Sequence, residues 1–403
     1  LATITGQRLL GYGVDESYQI QRGTLTGISI PIGELTIAEA STVTRFSGNL
    51  NAGGVAGTRG SEITLGGSAT AGFSLIAGAT VPPTGSNVLE TTSLLTEIET
   101  PAAPGSGTPL FVAGQSIEIA GAQRGGTTLP TSALAISSST TVQDLMDFIT
   151  RALGLHDTGS PNPDGNTPGV ALDPATGILT VVGNTGTANA IALDGSDLRL
   201  LNADASLAGT PFVPTSIAEA DGESVRTSFI VYDSLGQPVQ VEMAMVLESK
   251  GDLGTTWRYY VDSRDTSAGA SGPDTRIATG TVSFDTSGRL LTTAPIGVVI
   301  DRSGTGADPV LAFDIDLQDD AGEVTALADD GSAIAAVYRD GSPIGTLADF
   351  GIGSDGIVTG LFTNGLTRTL GQVALAMFRN AEGLVDLGSN LFTVGANSGP
   401  AVE

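Results

Sequence analysis

His156 is the one histidine in a chain of 403 residues, set in Leu155-His156-Asp157-Thr158-Gly159. To act as a general base it would need a serine nucleophile and an orienting acid brought to it in space. Serines are plentiful, but no Gly-x-Ser-x-Gly elbow occurs among them. Catalysis needs a constellation rather than a lone side chain, so the sequence predicts an exposed loop histidine. The absence of cysteine excludes thiol nucleophiles, disulfides and zinc–thiolate sites, and a single histidine excludes a multi-histidine metal site.

The carboxylates offer a second kind of chemistry. Asp314, Asp316, Asp319, Asp320 and Glu323 are closely spaced, and calcium favours oxygen-rich loops. However, the sixth position from Asp314 is Asp319, where an EF-hand loop needs glycine. Phe313-Asp314-Ile315-Asp316-Leu317 also alternates, which places the apolar side chains on one face of a strand and the acids in water. Asp164-Gly165-Asn166 reads as a turn. Carboxylate pairs for glycoside cleavage form in space and leave no sequence spacing, and Trp257 is the only tryptophan for stacking on a sugar. Lys250, the only lysine, lies in no Gly-x-x-x-x-Gly-Lys phosphate loop. No catalytic, cofactor-binding or metal-binding residue is assigned.

The elements that would position any of these groups are mostly strands. Ser228–Tyr232, Val239–Leu247, Trp257–Val261, Thr279–Phe284 and Gly356–Phe362 place apolar or β-branched side chains at every second position, the period of a half-buried strand. Between them lie Asp233-Ser234-Leu235-Gly236, Asp285-Thr286-Ser287-Gly288 and Ser354-Asp355-Gly356, which read as hairpin turns with glycine at positive φ. Short strands at this spacing predict a mainly β fold of sandwich or barrel type rather than a parallel α/β sheet. One helix is predicted. Thr141 and Asp144 form a capping-box pattern, Val142, Leu145, Met146, Ile149, Ala152 and Leu153 recur at helical spacing, and Gly154 supplies the stop. Flanking strands at Ser116–Ile119 and Ile178–Val182 make this a small α+β module over about 108–200. The Gly/Ala/Ser/Thr-rich stretch 53–85 reads as weakly patterned strands and loops, and no repeat of solenoid or propeller period is visible.

Composition narrows the partners. With 43 acidic against 17 basic residues the formal charge is −26, which repels a phosphate backbone and disfavours an anionic membrane surface. No apolar run approaches the ~18 residues that a spanning helix needs. Neither nucleic acid nor membrane is expected as a partner. The chain opens at Leu1 without a methionine or a charged-then-apolar leader, and so reads as a fragment or a processed chain.

Several segments together resemble the bacterial flagellar hook protein and its axial relatives. They are Thr5–Tyr12, Ser47-Gly48-Asn49-Leu50-Asn51-Ala52, and Val231-Tyr232-Asp233-Ser234-Leu235-Gly236-Gln237-Pro238 followed by Trp257-Arg258-Tyr259-Tyr260-Val261. Toward the end come Thr363-Asn364-Gly365, Leu370–Ala376, Phe378-Arg379-Asn380, Glu382-Gly383-Leu384, Leu387-Gly388-Ser389-Asn390 and Ser398-Gly399-Pro400, in family order. Thr141–Gly154 with Ala175–Leu193 is similar to the small insertion motif of hook and flagellin-class proteins.

The resemblance implies a non-enzymatic structural subunit of the flagellar hook, with no cofactor. It implies export by the flagellar type III system without a cleaved signal peptide, and an extracellular place in the hook. It also implies a tubular homopolymer that contacts distal-rod, hook-cap and hook–filament junction proteins. Family members have apolar heptad helices at both termini, and neither Leu1–Gly6 nor Asn397–Glu403 contains one. The chain therefore looks like a core fragment lacking the terminal helices. Nested insertion in the family implies an inner β domain at 1–51 with 326–403, a middle β domain at 52–107 with 201–325, and an outer α+β module at 108–200. The alternatives are a distal-rod axial protein, and an acidic extracellular adhesin or carbohydrate-binding β protein.

Overall fold

The structure is a computed structural model that describes residues 6, 8–15, 17–30, 32–33, 35–79, 88–101, 105–157, 160–267, 274–319, 322–329 and 331–402. Among these residues the fold is mainly β, as the alternation predicts, with Val142–Ala152 the one α-helix. The chain forms two compact units, one of Leu1–Glu39 with Ser342–Glu403 and one of Ala40–Gly341.

In the first unit six antiparallel strands lie in the order Thr26–Gly27, Leu10–Tyr12, Thr367–Val373, Ile357–Phe362, Ser342–Ile352, Thr36–Glu39. The apolar alternation of Ile357–Phe362 turns Val358 and Phe362 inward, and Phe362 packs with Leu347 and Ile37. The predicted turn at Ser354-Asp355-Gly356 is present, with Gly356 at φ +76°.

Among the described residues the second unit holds two large hydrophobic cores and a small cluster of Ala244, Val246 and Tyr260. One is a sandwich. Its first sheet runs in chain order through β1 (Ser224–Tyr232), β2 (Pro238–Gly251), β3 (Gly254–Ser263) and β4 (Arg276–Phe284), all antiparallel. Its second sheet contains Ile296–Asp301, Val310–Asp316, Val43–Asn49, Gly322–Thr325 and Ala333–Arg339. Phe46, Phe229 and Phe313 meet edge-on between the sheets, with centroids 5.1 and 6.4 Å apart, a favoured aromatic geometry. The segment Val43–Asn49 pairs in parallel with Val310–Asp316 and Gly322–Thr325 and antiparallel with Ala333–Arg339. That three-way pairing draws 43–49 into the second unit, so the compact units part at Glu39/Ala40 and Gly341/Ser342. The expected division put its boundaries at 51 and 326.

The other core gathers Ile63, Leu65, Phe73, Leu95, Phe111, Ile117, Leu179, Val181, Leu198 and Phe212 around the helix. Thr141 caps that helix with the capping box foreseen, its hydroxyl accepting from the Asp144 amide while the Asp144 carboxylate accepts from the Thr141 amide. Val142, Leu145, Met146, Phe148, Ile149 and Ala152 are buried. At the far end the Gly154 amide donates to Arg151 O and the Leu155 amide to Thr150 O, with Gly154 at φ +63°. This is a Schellman stop, and it needs a residue that tolerates the left-handed region. Residues 60–66, expected as weak pattern only, form a paired strand in this core beside Ile178–Thr185 and Val213–Ala218.

Candidate functional site: a buried charge network on the central sheet

β2 is buried on both faces, which explains its near-continuous apolar run. Val239, Val241, Met243, Met245 and Leu247 enter the sandwich core. On the opposite face Ala244 and Val246 join Tyr260 and Ala188. The same period sends Glu242 from β2, Asp262 from β3 and Arg226 from β1 toward the helix-bearing core. Charges placed there lose water, so each needs a partner.

Asp262 is the centre. One carboxylate oxygen lies 2.9 Å from His156 Nε2, and the other accepts from Arg124 Nη2. Arg124 also donates through Nη1 to the Gly154 carbonyl. His156 is held by a reciprocal pair: its amide donates to Asn184 Oδ1 at 2.9 Å, and Asn184 Nδ2 donates to its carbonyl at 2.7 Å. Its ring lies 5.3 Å from that of Tyr260. Around this centre Arg226 pairs with Glu242 at 2.9 Å and also donates to Ala188 O and Asn189 Oδ1. Arg264 reaches the other Glu242 oxygen at 3.2 Å. Arg276 binds Asp274 at 2.6 Å and the Leu155 carbonyl at 3.1 Å.

The electrostatics follow from this geometry. Burial alone would raise the Asp262 carboxyl. The Arg124 charge, the hydrogen bond and charge of His156, and Arg226 outweigh it, and the group lies below the ordinary carboxylate range. Burial and then the like charge of Arg124 lower Arg226, against the pull of Asp262 and Glu242. Burial raises Tyr260.

His156 is therefore not the exposed loop residue that the sequence predicts. It is 5% exposed, because the Schellman stop turns the chain back under the sheet to Asp262. The His–Asp pair resembles half of a hydrolytic triad, but it is sealed. The adjoining cavity, whose lining includes Arg124, Glu242, Asp262 and Arg264, offers about 10 Å³, room for about one water centre. A larger cavity of about 470 Å³ lies at the β2–β3 turn, but its ionisable groups are Lys250 and Asp252, and Lys250 is engaged with the Gly54 carbonyl at 2.7 Å. The network's chemistry is that of a latch between the helix-bearing core and the sandwich.

The other sequence candidates are not brought to this network. Phe313, Ile315 and Leu317 are buried and Asp314 is exposed, as alternation requires. Asp320 and the side chain of Asp319 lie outside the described residues, as do Thr158 and Gly159. Asp164-Gly165-Asn166 is a turn, with Gly165 at φ +92° and Asp164 Oδ1 accepting from the Asn166 amide. Trp257 is fully buried in the sandwich, where no sugar reaches it. Sequence reasoning missed Arg124, Arg226, Glu242 and Asp262. The available signal was a charge on the second face of strands whose first face was already apolar.

Residues 200–342, which contain the whole β1–β4 sheet, match the family described as flagellar basal body protein FlaE D2 domain. The flagellar hook protein FlgE of Escherichia coli is 30% identical over 193 residues, 47% of this chain and 44% of that one. The hook protein of Treponema pallidum is 31% identical over 229 residues, 47% of each chain. A 58-residue stretch is 50% identical to the hook protein of Helicobacter pylori, 14% of this chain and 8% of that one. The chain spans about half the length of the curated relatives it matches. A crystal structure of the Helicobacter pylori flagellar hook protein FlgE2 aligns over 100% of this chain and 84% of its own, at TM-score 0.40 and 14% identity. The chain is thus similar to flagellar hook proteins, the family its motifs resemble.

Proposed function

We propose that this chain is a structural subunit of the bacterial flagellar hook, the flexible joint that passes motor torque to the filament. The observation that carries the reading is the match of residues 200–342 to the flagellar basal body protein FlaE D2 domain family, a stretch that holds the whole β1–β4 sheet and all of the opposing sheet but Val43–Asn49. The buried His156–Asp262 pair supports a non-enzymatic reading, since Asp262 is taken up by Arg124 and the His156 backbone by Asn184. The partners are further copies of the subunit in a tubular polymer, with distal-rod, cap and hook–filament junction proteins at its ends. Localisation is at the flagellum, after export by the type III system.

The domains are nested along the chain. Ile63, Leu65, Phe73, Leu95 and Phe111 share a core with the helix, which favours a module of about 57–218 inserted into a sandwich of about 40–56 with 219–341. That sandwich is in turn inserted between 1–39 and 342–403. Immunogold labelling of intact cells of the source organism tests the reading. Gold confined to the short curved segment at each filament base is the expected result. Gold spread over the envelope would overturn it in favour of an adhesin.

A further inference from the structure

The chain crosses into an inserted domain twice, and the two crossings are built from the same parts. At the first, Asp340 Oδ1 accepts from the amides of Thr42 and Val43 at 2.8 and 3.1 Å, and its Oδ2 accepts from the Thr42 hydroxyl. At the second, Asp221 Oδ1 accepts from the amides of Thr58 and Arg59 at 2.6 and 2.9 Å, and its Oδ2 from the Thr58 hydroxyl at 2.5 Å. The backbone repeats as well. The Asp340 amide donates to Val43 O at 3.4 Å and the Asp221 amide to Arg59 O at 3.2 Å.

A glycine follows each aspartate, and each packs against the residue before the threonine. A Cβ on Gly341 would lie 2.1 Å from Ser41 Oγ, and one on Gly222 would lie 2.4 Å from Gly57 Cα. Those preceding residues are anchored on the same sheet, Ser41 donating to Tyr232 O at 2.9 Å and Gly57 to Leu247 O at 2.8 Å. The matched residues are 298 and 163 positions apart in sequence, so helix or hairpin geometry does not place them.

We infer that these two constellations are clasps, each holding shut the pair of strands through which the chain leaves for an inserted domain and returns. A carboxylate that takes three donors from one strand resists splaying and twisting of the pair, because both motions lengthen the same bonds. The glycine permits the backbones to approach closely enough for that reach. The bonds are exposed or part-buried and none of their residues belongs to either large hydrophobic core, so each clasp opens as a local event without unfolding the core beyond it. This holds whether or not the chain serves in a hook.

Amide hydrogen exchange on the full chain tests the inference. Carboxylate hydrogen bonds of this kind correspond to about tenfold or more in an opening equilibrium. Asp221→Ala should speed exchange at Thr58 and Arg59 by about that factor and leave Thr42, Val43 and the strand at residues 178–185 at wild-type rates. Asp340→Ala should do the converse. Unchanged rates at the matching pair, or a rise spread equally over the whole second unit, would overturn the proposal. Should an alanine variant fail to fold, Thr42→Val and Thr58→Val remove only the hydroxyl bond. A rise confined to the matching crossing then supports the clasp, and no rise refutes it.

Discussion

At the scale of single residues Asp262 has the most to lose. Its carboxylate compensates Arg124 and lies within hydrogen-bond distance of His156, all at about 5% exposure or less. Removing one member of a buried pair strands the others, at a cost of about 3–5 kcal/mol. Asp262→Ala should lower unfolding free energy by that amount in urea titration. Replacing the pair together, Arg124→Met with Asp262→Leu, should lose clearly less, because no charge is left uncompensated; equal losses would mean that the pair is not the source. Gly154 is a second such point. Its φ is +63°, and a Cβ there would lie 2.4 Å from Arg124 Nη1. Gly154→Ala combines left-handed strain of roughly 1–2 kcal/mol with displacement of the arginine that binds Asp262. Its loss should shrink when Arg124 is already Met, which a double-mutant cycle reads directly.

Among the elements, the helix and β2 obey different rules. The helix is locally specified, since its cap, its apolar stripe and its stop are all within Thr141–Leu155. Thr141→Ala should cost about 1 kcal/mol. Asp144→Ala should add little on top of it, because the two side chains satisfy each other's amides. Independent, additive losses would show that the box is not reciprocal in solution. β2 is specified by what covers it. Its alternation at Val239, Val241, Met243, Met245 and Leu247 marks a strand with one buried face, and leaves the burial of the other face open. Pairing with β1 and β3 fixes that strand, and packing with Tyr260 and Ala188 decides that Ala244 and Val246 are buried too.

For the whole molecule, acid and salt are the informative variables. Asp15, Asp173, Asp204, Asp221, Asp262, Asp274, Asp301, Asp340 and Glu99 all have lowered pKa values. For Asp15 and Glu99 the leading cause is backbone hydrogen bonds, and for Asp173, Asp204 and Asp301 it is side-chain hydroxyl bonds. For Asp221, Asp262, Asp274 and Asp340 burial opposes the shift and is overcome by hydrogen bonds or arginine charge. A lowered native value means that the unfolded chain binds more protons. The stability these groups contribute is complete above the unfolded value of about 4 and is lost as pH falls from there through the lower native values. The melting temperature should therefore hold from pH 7 to about pH 5 and fall below about pH 4, and Asp262→Asn should make that fall shallower. A melting temperature that rose on acidification would contradict the linkage. The net charge of −26 acts between copies. In the hook polymer proposed above, repulsion between acidic surfaces would weaken lateral contact. Bending stiffness should increase as salt rises from about 0.01 to 1 M and the screening length shrinks from about 30 to 3 Å. Stiffness independent of salt would remove charge from the mechanism.

What the sequence determined by itself is what short-range pattern can carry. Period-2 alternation located Ser116–Ile119 and the cores of β1 to β4, and placed Phe313, Ile315 and Leu317 inside with Asp314 outside. Capping and stop chemistry located the helix to within a residue. Composition removed thiol and multi-histidine chemistry, and ordered motifs pointed to the hook family. The burial of His156, the pairing of Arg124 with Asp262 across 138 positions, and the meeting of Thr42 with Asp340 across 298 all come from long-range packing. It also decided that Val43–Asn49 pairs on both edges within the second unit. The reason is common to all of these. A charge on a strand's second face is indistinguishable in sequence from a solvated one, and becomes a buried partner only when a distant segment covers that face and brings the opposite charge.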